Sequence, residues 1–146
     1  MERLKIRMKA WKESHTKTVV ESRNFRITID EPPSLGGKDE GPNPVEYLAA
    51  ALVGCLNVTG HIVAREMGIK LEELNFSVEG EIDPRGFMGK GDVRPGFLSL
   101  RVKLEVKTDV DNEALKEWLH VVESRCPVSD NIKNETPVEI EVEKAP

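Results

Sequence analysis

Cys55 and Cys126 are the residues whose types point most directly to chemistry, and their local settings differ. Cys55 lies in the apolar run Pro44-Val45-Glu46-Tyr47-Leu48-Ala49-Ala50-Ala51-Leu52-Val53-Gly54-Cys55-Leu56. Cys126 opens Cys126-Pro127-Val128-Ser129-Asp130-Asn131-Ile132, directly after a charged helical pattern. Thiol reactivity follows the thiolate fraction, so the surroundings of each sulfur decide what it does. Cys55 has no lysine or arginine within a helical turn, and its plain reading is a small buried hydrophobe. Cys126 precedes Pro127, a residue suited to the first helical position, and is therefore expected at a helix N-cap. There the helix dipole and neighbouring Arg125 are expected to lower its pKa. The competing reading is that Cys126 merely caps and marks a break between helices. The two cysteines stand far apart in sequence, so only the fold can bring them together.

Other candidates are weaker. Glu46 tempts as a catalytic carboxylate, but Asn43, Pro44 and Glu46 already make an Asn-led capping box. At ~100° per residue, Glu46 and Cys55 are about half a turn out of phase on one helix. Glu46 would meet a sulfur only across a subunit interface. His15, His61 and His120 are scattered without ligand spacing, so a structural zinc held by two cysteines and two histidines has no support in the pattern. Arg85 and Arg94 lie in a Gly/Pro-rich loop, where they would steer an anion or simply be solvated.

The elements that must position these residues follow from periodicity. Residues 3–11 alternate, with Leu4, Ile6, Met8 and Ala10 on one side, which predicts a strand. Further strands are expected at 16–22 and 24–30, then a Pro/Gly-rich connection over 31–43. A helix is expected over about 44–67, apolar on every side through residues 47–56. Such a helix must be covered all round, and one small chain covers only part of it. A second copy of the same helix in a symmetric dimer is the simplest cover, and Ala49, Ala50, Ala51 and Gly54 would allow close approach. Strands follow at about 72–82 and 97–107, joined by a long loop over 83–96. Asp111 caps a helix over about 112–125 whose inner face is Leu115, Trp118, Leu119 and Val122. A short helix over 127–133 and an alternating strand over 137–143 complete the chain. The class is α+β with largely antiparallel sheet, in one domain.

Composition narrows the function. The chain has 146 residues, 32% of them charged, with a net charge of −5. Without a basic face, a nucleic-acid binder is disfavoured. No secretory signal is visible at the N-terminus. Segment 45–64 is the only membrane candidate, and its Glu46, Asn57 and His61 favour a buried soluble helix, with no membrane partner. Two cysteines without a leader fit a reducing cytoplasm, where a disulfide would be transient or catalytic. The absence of Gln and the wealth of Lys and Glu lean toward a thermophilic source.

The run Asn43-Pro44-Val45-Glu46-Tyr47 through Gly54-Cys55, with Cys126-Pro127-Val128-Ser129 far downstream, resembles the osmotically inducible protein C / organic hydroperoxide resistance family. The likeness spans nearly the whole chain, including the leading strands, the Gly36-Gly37 loop and the closing strand. It implies an intertwined homodimer, with antiparallel sheets wrapped around central helices and two active sites at the interface. It also implies thiol peroxidase chemistry without a metal or organic cofactor. Cys55 would attack a peroxide and become a sulfenic acid. Cys126 would condense with it to a disulfide that a dithiol reductant then opens. The family thus gives the attacking role to the thiol with the less activating local sequence, and charges from the other subunit would resolve this. Apolar peroxides would be favoured by a pocket lined by Leu52, Leu56 and Phe87 or Met88.

Two positions depart from the family's peroxidase branch. The branch carries glutamate directly after Asn-Pro, where this chain has Val45, with Glu46 one place on. Its thiolate-holding arginine on the second strand falls near Lys17, with Arg23 and Arg26 as substitutes. Lysine keeps the charge but not the planar fork. A divergent branch is expected, with a slower peroxidase or a different substrate, and the competing reading is a non-catalytic dimer of the same fold that binds a small apolar ligand or senses redox state.

Overall fold

The computed structural model describes all 146 residues, and the chain divides into two compact units, Met1–Ala50 and Ala51–Pro146.

In the first unit, strands β1 (Lys9–Lys12), β2 (Thr18–Ser22) and β3 (Phe25–Ile29) form an antiparallel sheet in sequence order. Trp11 pairs with Val19, and Val19 with Thr28. Only the end of the expected 3–11 strand forms. Residues 1–8 carry no regular structure, and Leu4 and Ile6 are exposed. Alternation marks a segment as ready for a sheet, but a strand also needs a neighbouring edge, and the chain gives this one none.

The connection over 31–43 is held by a buried carboxylate. Asp30 accepts hydrogen bonds from Thr16 Oγ1 (2.7 Å) and from the backbone N–H groups of Glu31 (2.8 Å), Lys38 (3.3 Å) and Glu40 (3.1 Å). These donors hold its pKa down to about 2, Thr16 contributing most. Pro33–Leu35 form a single 3-10 turn within the loop.

Helix α1 (Pro44–Met67) has the predicted bounds. Its start shows the reciprocal capping box: Asn43 N–H donates to Glu46 Oε1 and Glu46 N–H to Asn43 Oδ1, both at 2.9 Å. Tyr47 Oη donates to the Thr28 carbonyl at 2.7 Å, tying this first turn to β3. Further along, α1 buries one stripe: Leu52, Leu56, Thr59, Gly60, Val63 and Ala64. Away from that stripe α1 stays open, with Val58 and Ile62 exposed, and Leu48 is exposed near its start.

The second unit pairs β4 (Glu73–Glu81) with β5 (Ser99–Lys107) in one antiparallel ladder, Phe76 opposite Leu104 and Val78 opposite Val102. On β5 the expected alternation is complete: Leu100, Val102, Leu104 and Val106 pack on the core while Arg101, Lys103, Glu105 and Lys107 face solvent. Between them the expected unstructured loop contains a one-turn helix, α2 (Pro84–Phe87). Asp83 caps it and pairs with Arg85 at 2.6 Å. Helix α3 (Asn112–Arg125) follows the Asp111 cap, whose carboxylate accepts from Ala114 N–H at 2.9 Å. Helix α4 (Pro127–Lys133) follows at once. The core gathers Leu52, Leu56, Val63, Ala64, Ile69, Trp118, Val122 and Cys126.

Residues 137–143 form no strand, and Val138, Ile140 and Val142 are exposed. Their period-two pattern is real, but like residues 1–8 they have no strand of this chain to pair with. The α+β class with antiparallel sheets is the observed one.

Candidate active site

Both cysteines belong to the second unit, and the structure brings them into contact. Cys126 Sγ lies 2.9 Å from Cys55 Sγ. A disulfide spans about 2.05 Å, so bond formation needs the sulfurs to close by only ~1 Å.

The helices place them. Cys55 projects from the middle of α1, half-buried at the edge of the core. Cys126 is both the C-cap of α3 and the N-cap of α4, because Pro127 ends one helix and begins the next. Its side chain is 0% exposed. Cys55 is therefore the solvent-exposed member of the pair, and Cys126 is sealed from solvent.

The electrostatics of Cys126 differ from the sequence expectation. Burial pushes its thiol up, and the hydrogen bond to Cys55 adds to this. The backbone N–H groups of Ser129 and Val128 pull the other way, as expected at a helix N-terminus, but they do not win. Arg125 does not serve the sulfur either. Its guanidinium forms a bidentate pair with Glu66, Nη1 to Oε2 at 2.5 Å and Nη2 to Oε1 at 3.1 Å. Cys126 therefore stays protonated at neutral pH, and its S–H is the donor to Cys55.

Lys17, Arg23, Arg26 and Glu46 lie in the first unit. Lys17 Nζ sits between two carboxylates, Glu40 at 2.6 Å and Glu13 at 3.1 Å. These hold its pKa above the usual lysine value, Glu40 first. Glu46 is occupied by the helix cap. Arg26 pairs with Glu21 at 3.1 Å and lies over the Trp11 ring, while Arg23 lies over Phe25. Phe87 and Met88, at the end of α2, are exposed, whereas Leu52 and Leu56 belong to the core. His61 Nδ1–H donates to the Asn57 carbonyl at 2.8 Å, and no group of three or more His, Cys, Asp or Glu side chains converges anywhere.

Sequence reading missed the residues that lock α3 to α1. Trp118 Nε1–H donates to the Gly60 carbonyl at 2.8 Å, fully buried, and Arg125 pairs with Glu66. The apolar period placed Trp118 in the core, but nothing local tells which carbonyl its indole will find. Asp30 was missed as well. Its one signal was an acid ending an alternating strand just before Pro32-Pro33.

Known proteins resemble this chain in sequence and in fold. The family model described as OsmC-like protein matches residues 37–141. A hydroperoxide reductase from Mycoplasma genitalium is 26% identical over 121 residues, covering 83% of this chain and 82% of that protein. Among solved structures, the OsmC-like protein of Mycoplasma pneumoniae superposes with a TM-score of 0.78 at 21% identity, over 92% of this chain and 91% of that one. An organic hydroperoxide resistance protein from Elizabethkingia anophelis, with crystallant-derived thiocyanate bound, gives 0.68 at 23% identity over 92% and 93%. At these identities the structures share the fold.

Proposed function

The chain belongs to the OsmC-like protein family, and from that premise we propose that it is a thiol-dependent peroxidase for organic hydroperoxides or hydrogen peroxide. The observation that carries this reading is the 2.9 Å sulfur pair, one thiol half-buried and the other sealed in the core.

The thiolate of Cys55 attacks the outer peroxide oxygen. The O–O bond breaks, the alkoxide leaves and takes a proton, and Cys55 becomes a sulfenic acid. The Cys126 sulfur then attacks the sulfenic sulfur. Its proton and the sulfenic hydroxyl depart as water, and the Cys55–Cys126 disulfide remains. A dithiol reductant restores both thiols by exchange. Cys126, kept protonated by burial, supplies an S–H donor to the developing Cys55 thiolate before it takes its turn as resolving thiol. No metal or organic cofactor enters these steps.

A single OsmC-like domain over 1–146, acting as a homodimer in the cytoplasm, completes the reading. The exposed apolar residues of α1 (Leu48, Val58 and Ile62) and the unpaired alternating segments 1–8 and 137–143 support a second copy as their cover. In that assembly Lys17 and Glu46 are the charged residues that would act on the Cys55 thiolate. The direct test is consumption of cumene hydroperoxide with dithiothreitol as reductant, which Cys55→Ser abolishes.

One observation favours a second reading, a non-catalytic dimer that binds a small ligand or senses redox state. Lys17 and Glu46 both have partners of their own, and Val45 stands where the resemblance puts the peroxidase branch's glutamate. A chain that keeps both thiols through minutes of peroxide exposure would decide for it.

A further inference from the structure

Cys126 is the residue at which α3 ends, so its distance from Cys55 depends on how α3 lies against α1. Two contacts between these helices fix that placement.

The first is at Gly60. The Trp118 indole donates to its carbonyl at 2.8 Å, and the ring lies so close that a Cβ on Gly60 would meet Trp118 Cζ2 at 2.9 Å. Only a residue without a side chain lets α3 approach this far. The second contact is the Arg125 fork on Glu66, at 2.5 and 3.1 Å. Glu66 lies about three turns beyond Cys55 on α1, ~16 Å along the axis and within ~20° of the same angular position. Arg125 and Cys126 are adjacent residues, yet the guanidinium reaches one way along α1 and the thiol the other. The end of α3 is thereby bracketed on the helix that carries Cys55. A bidentate pair fixes both distance and orientation in a way a single charge contact does not.

Resting on the peroxidase reading of the cysteine pair, we propose that Glu66, Arg125 and Gly60 are positioning residues for the resolving step, forming with Trp118 a clamp that holds Cys126 in bonding reach of Cys55. The clamp acts after peroxide attack. A resolving thiol sealed from solvent works only if it is already in place, and its advantage is the effective concentration the clamp maintains. The same clamp stabilises the disulfide against reduction, because opening the bond then gains the pair little freedom.

The test uses full-length Glu66→Gln, Arg125→Gln, the double variant, Arg125→Lys and Gly60→Ala. The main readout is the equilibrium of the Cys55–Cys126 disulfide with reduced and oxidised dithiothreitol, which needs no peroxide. The second readout is the rate of disulfide closure set against the rate of sulfenic acid formation, the latter measured with Cys126→Ser added to each variant. The clamp predicts a disulfide about three- to tenfold easier to reduce in each glutamine variant, and no further shift in the double, because either change breaks the same fork. Arg125→Lys falls between wild type and Arg125→Gln. Gly60→Ala eases reduction by at least as much as either glutamine variant, and closure is slower in all of them. Sulfenic acid formation is unchanged in all. A merely structural role would lower melting temperatures while leaving the equilibrium where it was. Dithiothreitol equilibria within twofold of wild type in folded variants overturn the clamp, as does a wild type that forms no disulfide with oxidised dithiothreitol. If peroxide fails to react but the equilibria shift as stated, the peroxidase reading falls and the clamp stands.

Discussion

Cys126, fully buried at the joint between α3 and α4, points its thiol at the half-buried Cys55 of α1 with 2.9 Å between the sulfurs. This asymmetry of exposure assigns different fates to two residues of the same type. On peroxide treatment, Cys126→Ser should accumulate a sulfenic acid at Cys55 that a dimedone adduct reveals by mass. Cys55→Ser should leave Cys126 unmodified at one equivalent, because no path leads to its sulfur.

The burial that raises the Cys126 pKa also makes stability depend on pH. The folded protein holds this proton above the unfolded thiol value of about 8.5, so the contribution is present below that value and lost as pH rises through the folded pKa. Reduced wild type should therefore lose more stability between pH 7.5 and 10 than Cys126→Ala does. Urea denaturation at the two pH values measures this, and equal losses would contradict it.

Asp30 works with the opposite sign. Its carboxyl is held down to about 2, so its contribution is present above the unfolded value of about 3.9 and lost as pH falls through 2. Asp30→Asn keeps the shape but gives up one of the two oxygens that hold the loop. Faster limited proteolysis within 31–43 at pH 7, with cutting elsewhere unchanged, is the expected result.

Trp118→Phe removes the indole donor and leaves the Gly60 carbonyl in an apolar setting. The cost should be about 1–3 kcal/mol in urea denaturation, through the lost hydrogen bond and the smaller ring. An effect below ~0.5 kcal/mol would mean that neighbouring side chains close the gap.

Lys17→Met and Glu46→Gln separate charge from scaffolding. If these residues act on the Cys55 thiolate in the dimer, each slows sulfenic acid formation by about tenfold or more. Lys17→Met with an unaltered rate would confine Lys17 to its Glu13 and Glu40 pairs.

Helix bounds were readable where a cap fixes them. Asn43-Pro44, Asp111 and Cys126-Pro127 each mark a start by local chemistry, and α1, α3 and α4 begin where these predict. An alternating segment became a strand only where another strand of this chain lies beside it. Thus β5 appears in full opposite β4, while residues 3–8 and 137–143 show equal alternation and no ladder. The cysteine pairing came from family resemblance, since no local rule joins residues this distant. The state of Cys126 was misread because its neighbours in sequence, Arg125 and the α4 N-terminus, count for less than its burial by residues elsewhere in the chain.

The decisive measurement is intact mass with a free-thiol count after one equivalent of cumene hydroperoxide on the reduced protein. The peroxidase reading predicts loss of both thiols within seconds, to a single intramolecular disulfide between Cys55 and Cys126 that dithiothreitol reverses. Two free thiols after minutes of exposure would contradict it and leave Cys55 as a packing residue of α1.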